Sequence, residues 1–198
     1  MIGNTFQFAW EVKLIEWCQT YIPTALIKAL ELVSNIGDTI FIVAIMAIAY
    51  LCLDKKLGRR LLINTIICLM VSAQIKNVFK RRRPYFDNEN IKCLKIVDKN
   101  YDLYDIRKQG FSLPSMHSAN IAIITGTIYE YYKKNKYLIL AIISSLIVGV
   151  SRFVLGCHYP TDVLCGWALG LIILFLIPWL DSKFKKDWVI YIILLVVA

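Results

Sequence analysis

Long apolar segments separated by short polar connections run through most of this chain. They lie near residues 38–54, 61–79, 117–132, 137–156 and 161–181, and a sixth begins near residue 188. A helix needs about 20 residues to cross the hydrocarbon core of a bilayer, and somewhat fewer when its ends reach the interface. The pattern therefore predicts an all-α fold, a polytopic membrane bundle of about six transmembrane helices. Because the sixth segment covers only residues 188–198, we expect its helix to be either short or truncated.

The composition excludes an ordinary soluble domain. Of the 198 residues, 58% are hydrophobic and only 19% are charged, which is too little polar surface to cover a water-exposed fold. We expect one domain over residues 1–198, with interfacial helices in 1–36 and a helical core in 37–198. The first twenty residues lack a basic start and an uninterrupted apolar run, so the sequence predicts no removable signal peptide.

The segment before the first apolar run has a different character. Residues 5–34 intersperse charges among aromatic and aliphatic side chains, and Pro23 divides them. This pattern predicts two amphipathic helices that lie at the membrane interface. The alternative is a single kinked crossing over residues 22–50 that is broken at Gly37. The interfacial interpretation is favoured because Lys28 and Glu31 would be costly at membrane depth.

Basic residues in the connections predict the orientation. The net charge is +9, but the cations cluster beside apolar segments, where they set topology or contact head groups, so we do not expect nucleic-acid binding. Span parity puts three basic connections on one side, which the positive-inside rule assigns to the cytoplasm. Their cations are Lys55, Lys56, Arg59, Arg60, Lys133, Lys134, Lys136, Lys183, Lys185 and Lys186. The connections near 80–116 and 152–160 then face outward from the cell membrane, although the run Lys80-Arg81-Arg82-Arg83 opposes this assignment.

Three cations at the outward ends of spans suit phosphate binding. Lys76 and Arg83 lie at the end of the second span, and Arg152 lies at the end of the fourth. Each alone would suit an interfacial anchor. Together, beside two histidines, they indicate an anion site, because a guanidinium fork matches phosphate oxygens. The amides near Ser115 and Met116 precede the third span and add a helix N-terminus that binds anions, although a plain helix cap is the alternative.

Both histidines of the chain lie in the outward connections. His158 and Asp162 are close enough in sequence for the carboxylate to accept the imidazole N–H, which would leave the other ring nitrogen free to attack. His117 lies at the start of the third span, on the same predicted side. A nucleophile, an acid and an anion site on one face indicate phosphate ester chemistry.

The six cysteines include no Cys-x-x-Cys pair, and three of them lie inside apolar runs. Small buried hydrophobic residues are therefore favoured over metal ligands. Cys93 and Cys157 fall in the two connections that carry the motifs. They could form a disulfide, although nothing in the sequence requires one.

Together the motif residues resemble the signature of the type 2 phosphatidic acid phosphatase superfamily, which also contains vanadium-dependent haloperoxidases. The family pattern runs Lys-x6-Arg-Pro, then Pro-Ser-Gly-His, then Ser-Arg-x5-His-x3-Asp. The matching residues here are Lys76, Arg83, Pro84, Pro114, Ser115, His117, Ser151, Arg152, His158 and Asp162. One departure is Met116, which occupies the family's usual glycine. Glycine reaches backbone conformations that methionine cannot, but the Met116 amide can still donate if the turn needs only helical dihedrals.

The resemblance implies a membrane lipid phosphatase that forms a phosphohistidine at the outer membrane face. His158 would be the nucleophile, Asp162 would orient it, and His117 would protonate the leaving oxygen and then activate water. The phosphoryl oxygens would be held by Lys76, Arg83, Ser115, Met116 and Arg152. The resemblance implies no metal or other cofactor. Its substrate would be a lipid phosphate, and phosphatidate, phosphatidylglycerol phosphate, a sphingoid base phosphate and a polyprenyl diphosphate all stay open.

Three other functions stay open on the same residues. A phosphotransferase on this scaffold would pass the phosphoryl group to a second lipid or a sugar. A vanadate-dependent haloperoxidase would use the same anion site, but the apolar spans argue against it because that branch is soluble. A lipid-binding membrane protein without catalysis would have no use for the two histidines and the carboxylate. The sequence leaves the oligomeric state open.

Overall fold

The computed structural model describes residues 3–96 and 100–184, and these fold into helices and loops. The helices are α1 (Ala9–Tyr21), α2 (Thr24–Ser34), α3 (Thr39–Ile48), α4 (Lys55–Phe79), α5 (Pro84–Asp87), α6 (Ile106–Gln109), α7 (Met116–Tyr132), α8 (Asn135–Val154) and α9 (Pro160–Phe184). A 3-10 turn, Asn35–Gly37, follows α2, and a π-helical turn, Ala49–Leu53, follows α3. The β pairing in these residues is one isolated bridge between Asn4 and Arg81. The predicted all-α fold is confirmed for this part of the chain.

α7 is the central helix of the bundle. Residues 118–127 along it are all buried, and it packs against α4, α8 and α9. α9 approaches it through a Gly-x-x-x-Gly pair, because a Cβ on Gly166 would lie 2.5 Å from Ser115 O and one on Gly170 would lie 3.0 Å from Ala119 O. Small residues at such contacts let two helix backbones approach closely in a membrane. The contact places the N-terminal ends of α7 and α9 beside each other.

Three helices of the described residues are long and apolar enough to cross a membrane: Lys55–Phe79, Asn135–Val154 and Pro160–Leu180. A fourth candidate is the pair Thr24–Gly37 and Thr39–Leu53, which is bent by 54°. α7 has 17 residues and is enclosed by its neighbours. The chain is therefore a multi-pass membrane protein with three or four candidate spans in its described part. The predicted segment from residue 188 lies outside the described residues.

The N-terminal region forms two helices, α1 and α2, on either side of Pro23, and their place at the membrane interface stays a prediction. α2 then meets α3 at the bend, whose geometry is that of a broken span or of a re-entrant loop. The bend lies at Gly37 and Asp38, where the kinked-crossing alternative placed it. A Cβ on Gly37 would lie 2.6 Å from His117 Cδ2, so the bend presses directly against the start of α7.

The long connection between α4 and α7 packs over one end of the bundle. Leu94 N donates to Leu155 O at 2.9 Å, and Ser112 N donates to Arg81 O at 2.8 Å. A hydrophobic cluster joins this connection to α1 and to the loop between α8 and α9. The buried members of the cluster are Ile15, Tyr85, Ile91 and Tyr159. In its described residues the connection is an ordered cover over the ends of α7, α8 and α9.

Candidate active site

The motif residues from three distant parts of the sequence meet at the end of the bundle beneath this cover. Lys76 lies in the last turn of α4 and Arg152 in the last turn of α8, whereas His117 lies in the first turn of α7 and Asp162 in the first turn of α9. Ser115 N donates to Asp162 O at 2.9 Å, which joins the starts of α7 and α9 through their backbones. The fold therefore brings every residue of the predicted site to one location.

His158 is buried in the loop between α8 and α9, with a side chain that is 3% exposed. Burial, and then the positive charges of Arg83 and Arg152, hold the pKa of His158 well below its usual range. The imidazole is therefore neutral at neutral pH. A neutral ring nitrogen carries the lone pair that a nucleophile needs.

Asp162 is a buried neighbour of His158, but the two do not form a hydrogen bond. His158 Nδ1 lies 3.7 Å from Asp162 Oδ2, which exceeds hydrogen-bond distance. Within residues 3–96 and 100–184, Nδ1 has no other partner. Asp162 Oδ2 instead accepts from Tyr159 N at 2.7 Å and from the Ser112 hydroxyl. The predicted orienting hydrogen bond is thus absent from this arrangement, although the carboxylate lies beside the imidazole.

Arg81 is the main partner of Asp162, and the sequence analysis did not single it out. Its Nη1 donates to Asp162 Oδ1 at 2.7 Å, and its Nη2 donates to Glu11 Oε2 at 2.8 Å. The side chain is 1% exposed and lies over the Tyr159 ring at 4.1 Å. Two carboxylates from opposite ends of the chain therefore share one guanidinium. The one sequence feature that could have indicated this contact is Glu11, because an acidic residue among aromatic neighbours in the N-terminal segment needs a positive partner if it is buried.

Lys76 and Arg83 are held by backbone carbonyls of the cover and of the His158 loop. Lys76 Nζ donates to Phe111 O at 2.5 Å. Arg83 Nε donates to Gly110 O at 3.0 Å, and its Nη1 donates to Cys157 O at 3.1 Å. Neutral carbonyls orient these cations without cancelling their charge.

Arg152, near the end of α8, is the third cation of the site beside Lys76 and Arg83. It is 1% exposed, and its Nη1 donates to the hydroxyl of Ser34, a residue of α2 that the sequence analysis did not select. Its Nε has no partner among the described residues. In that part of the chain, Lys76, Arg83 and Arg152 form no ion pair with a carboxylate. Their uncompensated charge can bind a multivalent anion.

The turn before α7 tolerates methionine at the position of the usual glycine. Ser115 precedes the helix as its N-cap, and its Oγ accepts from the Ser118 hydroxyl at 2.9 Å. Met116 is the first helical residue. Among the described non-glycine residues, positive φ angles occur at Lys80 and Lys133. The Met116 position therefore uses ordinary helical dihedrals, and methionine does not strain the backbone there.

His117 has its own carboxylate, Asp38, which no motif spacing connects to it. His117 Nε2 lies 2.7 Å from Asp38 Oδ1, and Lys95 Nζ lies 3.1 Å from Asp38 Oδ2. Asp38 stands at the bend between α2 and α3, directly after Gly37. A carboxylate on one ring nitrogen fixes the tautomer of the imidazole. In the sequence, Gly37 indicated a break between helices beside Asp38. It did not indicate that Asp38 would contact His117.

The described residues contain no group of three or more histidine, cysteine, aspartate or glutamate side chains placed to hold a metal ion. The site consists of two imidazoles, two nearby carboxylates and several cations. This set can transfer a phosphoryl group through nitrogen and can move protons.

Comparison with known families identifies the scaffold. The model of the PAP2 superfamily matches residues 57–186, a range that contains every predicted site residue. The chain belongs to the PAP2 superfamily. The family expected from the motifs is thereby confirmed. Glu11, Ser34 and Asp38 lie outside the matched range, although they contact residues inside it.

Curated PAP2 relatives match parts of the chain. Phosphatidylglycerophosphatase B of Bacillus subtilis (strain 168) is 38% identical over 91 residues, which are 41% of this chain and 44% of that protein. Undecaprenyl-diphosphatase of Sulfolobus acidocaldarius is 30% identical over 129 residues, which are 65% of this chain and 57% of that protein. The chain thus spans about half the length of the curated relatives it matches.

Solved PAP2 structures share the fold. The crystal structure of LpxE from Aquifex aeolicus superimposes with a TM-score of 0.71 at 17% identity, over 86% of this chain and 95% of that one. A transmembrane PAP2-type phosphatidylglycerolphosphate phosphatase from Bacillus subtilis gives a TM-score of 0.67 at 24% identity, over 90% of this chain and 88% of that one. At these identities the likeness establishes the architecture of the bundle.

Proposed function

We propose that this PAP2 member is an integral membrane phosphatase that hydrolyses the phosphate of a lipid through a phosphohistidine. The observation that carries the proposal is the position of the two histidines, each with its own carboxylate nearby, at 2.7 Å for His117 and 3.7 Å for His158. Both lie beside cations that have no carboxylate partner in the described structure. A purely binding protein would need the cations but not a buried neutral imidazole. The names of the curated relatives, a phosphatidylglycerophosphatase and a diphosphatase, support a lipid phosphate as the substrate class.

The reaction proceeds in two steps. A ring nitrogen of His158 attacks phosphorus, the bond from phosphorus to the lipid oxygen breaks, and His117 donates a proton to that oxygen. Lys76, Arg83 and Arg152 stabilise the charge that spreads over the remaining phosphoryl oxygens. His117 then takes a proton from water, which attacks phosphorus and breaks the bond to His158. Inorganic phosphate leaves, and both histidines return to their starting states.

Asp162 acts on His158 in this scheme mainly through charge. When the ring nitrogen bonds to phosphorus, the imidazole becomes positive, and a carboxylate at 3.7 Å stabilises it. A small rotation of the ring would also form the hydrogen bond. The amides of Ser115 and Met116 stay candidates for phosphate contact, although Ser115 N is already bonded to Asp162 O.

We place the site on the outer face of the cell membrane, within a single domain over residues 1–198. The support is the charge distribution, because the described ends of the spans opposite the site carry Lys55, Lys56, Lys133 and Lys134. A cavity of about 450 Å³ adjoins Lys76 between the ends of α4 and α6, and it is also lined by Lys80 and Arg107. These cations would attract an anionic head group toward the site. Labelling of a cysteine introduced at position 89 with an impermeant reagent tests the orientation, and protection in intact cells would reverse it.

Phosphate release from a lipid panel tests the proposed function. The purified protein in detergent would be given phosphatidate, phosphatidylglycerol phosphate, a sphingoid base phosphate and a polyprenyl diphosphate, with and without a chelator. We expect release from at least one lipid, no loss on chelation, and inhibition by vanadate. The proposal fails if no lipid phosphate is hydrolysed or if chelation abolishes release. Vanadate-dependent halide oxidation would indicate the haloperoxidase instead.

Asp38 is expected to act as a positioning residue for His117. Asp38→Asn keeps the size of the side chain but removes the charge beside Nε2, so we expect kcat to fall about 10- to 100-fold with little change in KM. Asp54→Asn is the matched control, because Asp54 caps α4 at the other end of α3 and asparagine is an equally good cap. Equal activity of the two variants would exclude the role of Asp38.

The protonation of His158 can be measured directly, because the chain has only two histidines. His117→Gln leaves one imidazole, whose NMR signals in isotope-labelled protein report a single titration. Since burial and the neighbouring arginines lower the pKa, we expect His158 to stay neutral as the pH falls through about 6.5, the usual histidine value. A midpoint at or above that value would contradict the electrostatic description of the site.

A further inference from the structure

Two thiols lie together beside the site, and the proposed reaction does not use them. Cys93 Sγ donates to Lys95 O at 3.4 Å, and Cys157 Sγ donates to the same oxygen at 3.2 Å. A thiol has one proton, so Cys93 donates either to this oxygen or, when Cys157 is a thiolate, to the Cys157 sulfur. Both are free cysteines, Cys157 buried and Cys93 partly exposed. They belong to the two outward connections, the cover and the His158 loop.

The backbone holds the two cysteine segments side by side. Leu94 N donates to Leu155 O at 2.9 Å, so the residue after Cys93 pairs with the residue two positions before Cys157. Gly156 has a φ of +71°, and a Cβ there would lie 2.3 Å from Lys92 O, so only glycine permits this approach. Gln19 of α1 ties the same segments together, because its Nε2 donates to Lys92 O at 2.9 Å. The contact is therefore built into the fold rather than made by two mobile side chains.

We propose that Cys93 and Cys157 are a disulfide-forming pair that fastens the cover to the His158 loop. The oxidant would be a small organic disulfide such as oxidised glutathione. Cys93 is the accessible member: its proton passes to the Cys157 thiolate, and its sulfur attacks one sulfur of the oxidant and expels the first thiolate, after which Cys157 releases the proton to water. Cys157 then attacks Cys93 Sγ as a thiolate, breaks the mixed disulfide and expels the second. Two protein thiols are oxidised to one disulfide, and one small disulfide is reduced to two thiols.

The surroundings of Cys157 suit the second step. The hydrogen bond from Cys93, and then the positive charges of Arg152 and Arg83, lower the pKa of the Cys157 thiol. Lys95, whose carbonyl both thiols contact, also binds Asp38 through its ammonium. The disulfide would therefore fix the segment that holds the carboxylate of His117. The inference does not require the proposed function, although an outward-facing site would expose the pair to an oxidising environment.

Counting alkylatable thiols tests the pair. The full-length protein in detergent would be treated with oxidised glutathione or with a reductant, denatured, and reacted with a maleimide polymer that shifts its mobility. We expect six reactive thiols after reduction and four after oxidation, without a disulfide-linked dimer. Peptide mapping without reductant should recover residues 93 and 157 in one linked pair. Six reactive thiols after oxidation, or a linkage between other cysteines, would overturn the proposal.

Serine variants separate this pair from the other cysteines. Cys93→Ser should keep five reactive thiols under both treatments. Cys157→Ser should fall from five to four, because Cys93 stays blocked as the mixed disulfide. Cys52→Ser, at the other end of the bundle, should fall from five to three. The oxidised parent should also denature at a temperature roughly 5–10 °C above the reduced parent. That difference should vanish in Cys93→Ser. Equal denaturation temperatures for both forms of the parent would show that the bond does not fasten the cover.

Discussion

Replacing His158 with alanine is expected to lower lipid phosphate hydrolysis by at least about 10⁴-fold, because the substitution removes the atom that bonds to phosphorus. His158 is buried, and its loop is held by hydrogen bonds that Cys157 N and His158 N donate to Arg152 O. The measurement is phosphate release from the best lipid of the panel. Rapid quenching with labelled substrate should also trap an acid-labile phosphoprotein in the parent and none in His158→Ala.

His117→Ala is the matched control for this prediction. It should slow lipid hydrolysis by about 10²- to 10⁴-fold, since the leaving oxygen loses its proton donor. With an aryl phosphate, whose leaving group departs without a proton, the phosphoprotein should still form in His117→Ala. Phosphoprotein that persists in His158→Ala, or hydrolysis near the parental rate, would show that another residue is the nucleophile.

Arg81→Met is expected to destabilise the protein by about 3–5 kcal/mol, because it leaves two buried carboxylates without their shared guanidinium. Arg81 and Glu11 are 1% and 0% exposed, and Asp162 is 0% exposed, so water cannot replace the lost partner. Methionine preserves most of the packing against the Tyr159 ring. The measurement is the denaturation temperature in detergent together with phosphate release, and both should fall.

Lys80→Met is the control for Arg81→Met, since it removes an exposed positive charge from the adjacent position. We expect its stability to stay within about 0.5 kcal/mol of the parent. Adding Glu11→Gln to Arg81→Met should restore part of the stability, because one of the two unpaired charges is then neutral. If Arg81→Met and Lys80→Met have the same denaturation temperature, the buried triad does not stabilise the fold.

Local sequence patterns were sufficient to predict the long helices and to identify the family. The apolar segments near 61–79, 137–156 and 161–181 correspond to α4, α8 and α9, because a run of apolar residues is a property of the sequence itself. The segment near 117–132 is also a helix, α7, but its residues 118–127 are buried among other helices rather than placed on the surface of the bundle. Apolar length cannot distinguish these two environments. The count of about six spans stays a prediction, because the described residues contain three or four candidates and the segment from residue 188 lies outside them.

Local sequence patterns could not predict which side chains contact the motif residues. Asp38 and His117 are 79 positions apart, and Glu11 and Arg81 are 70 positions apart. No spacing rule connects positions so distant, because their contact depends on how the helices pack. The sequence predicted one carboxylate, Asp162, through its nearness to His158. In the fold that carboxylate binds Arg81, Ser112 and Tyr159 N more closely than it binds the imidazole.

The sequence by itself determined which groups can perform chemistry, since two histidines, a carboxylate and three cations stand at motif spacings in an apolar chain. It also determined that Met116 replaces a glycine. The tertiary structure decided which groups act on one another: it joined Asp38 to His117, brought Arg81 between two carboxylates, and placed Cys93 beside Cys157. The physical reason is that the reactivity of a functional group is a property of its own side chain. The distances between side chains, their burial and the compensation of their charges arise only when remote segments pack together.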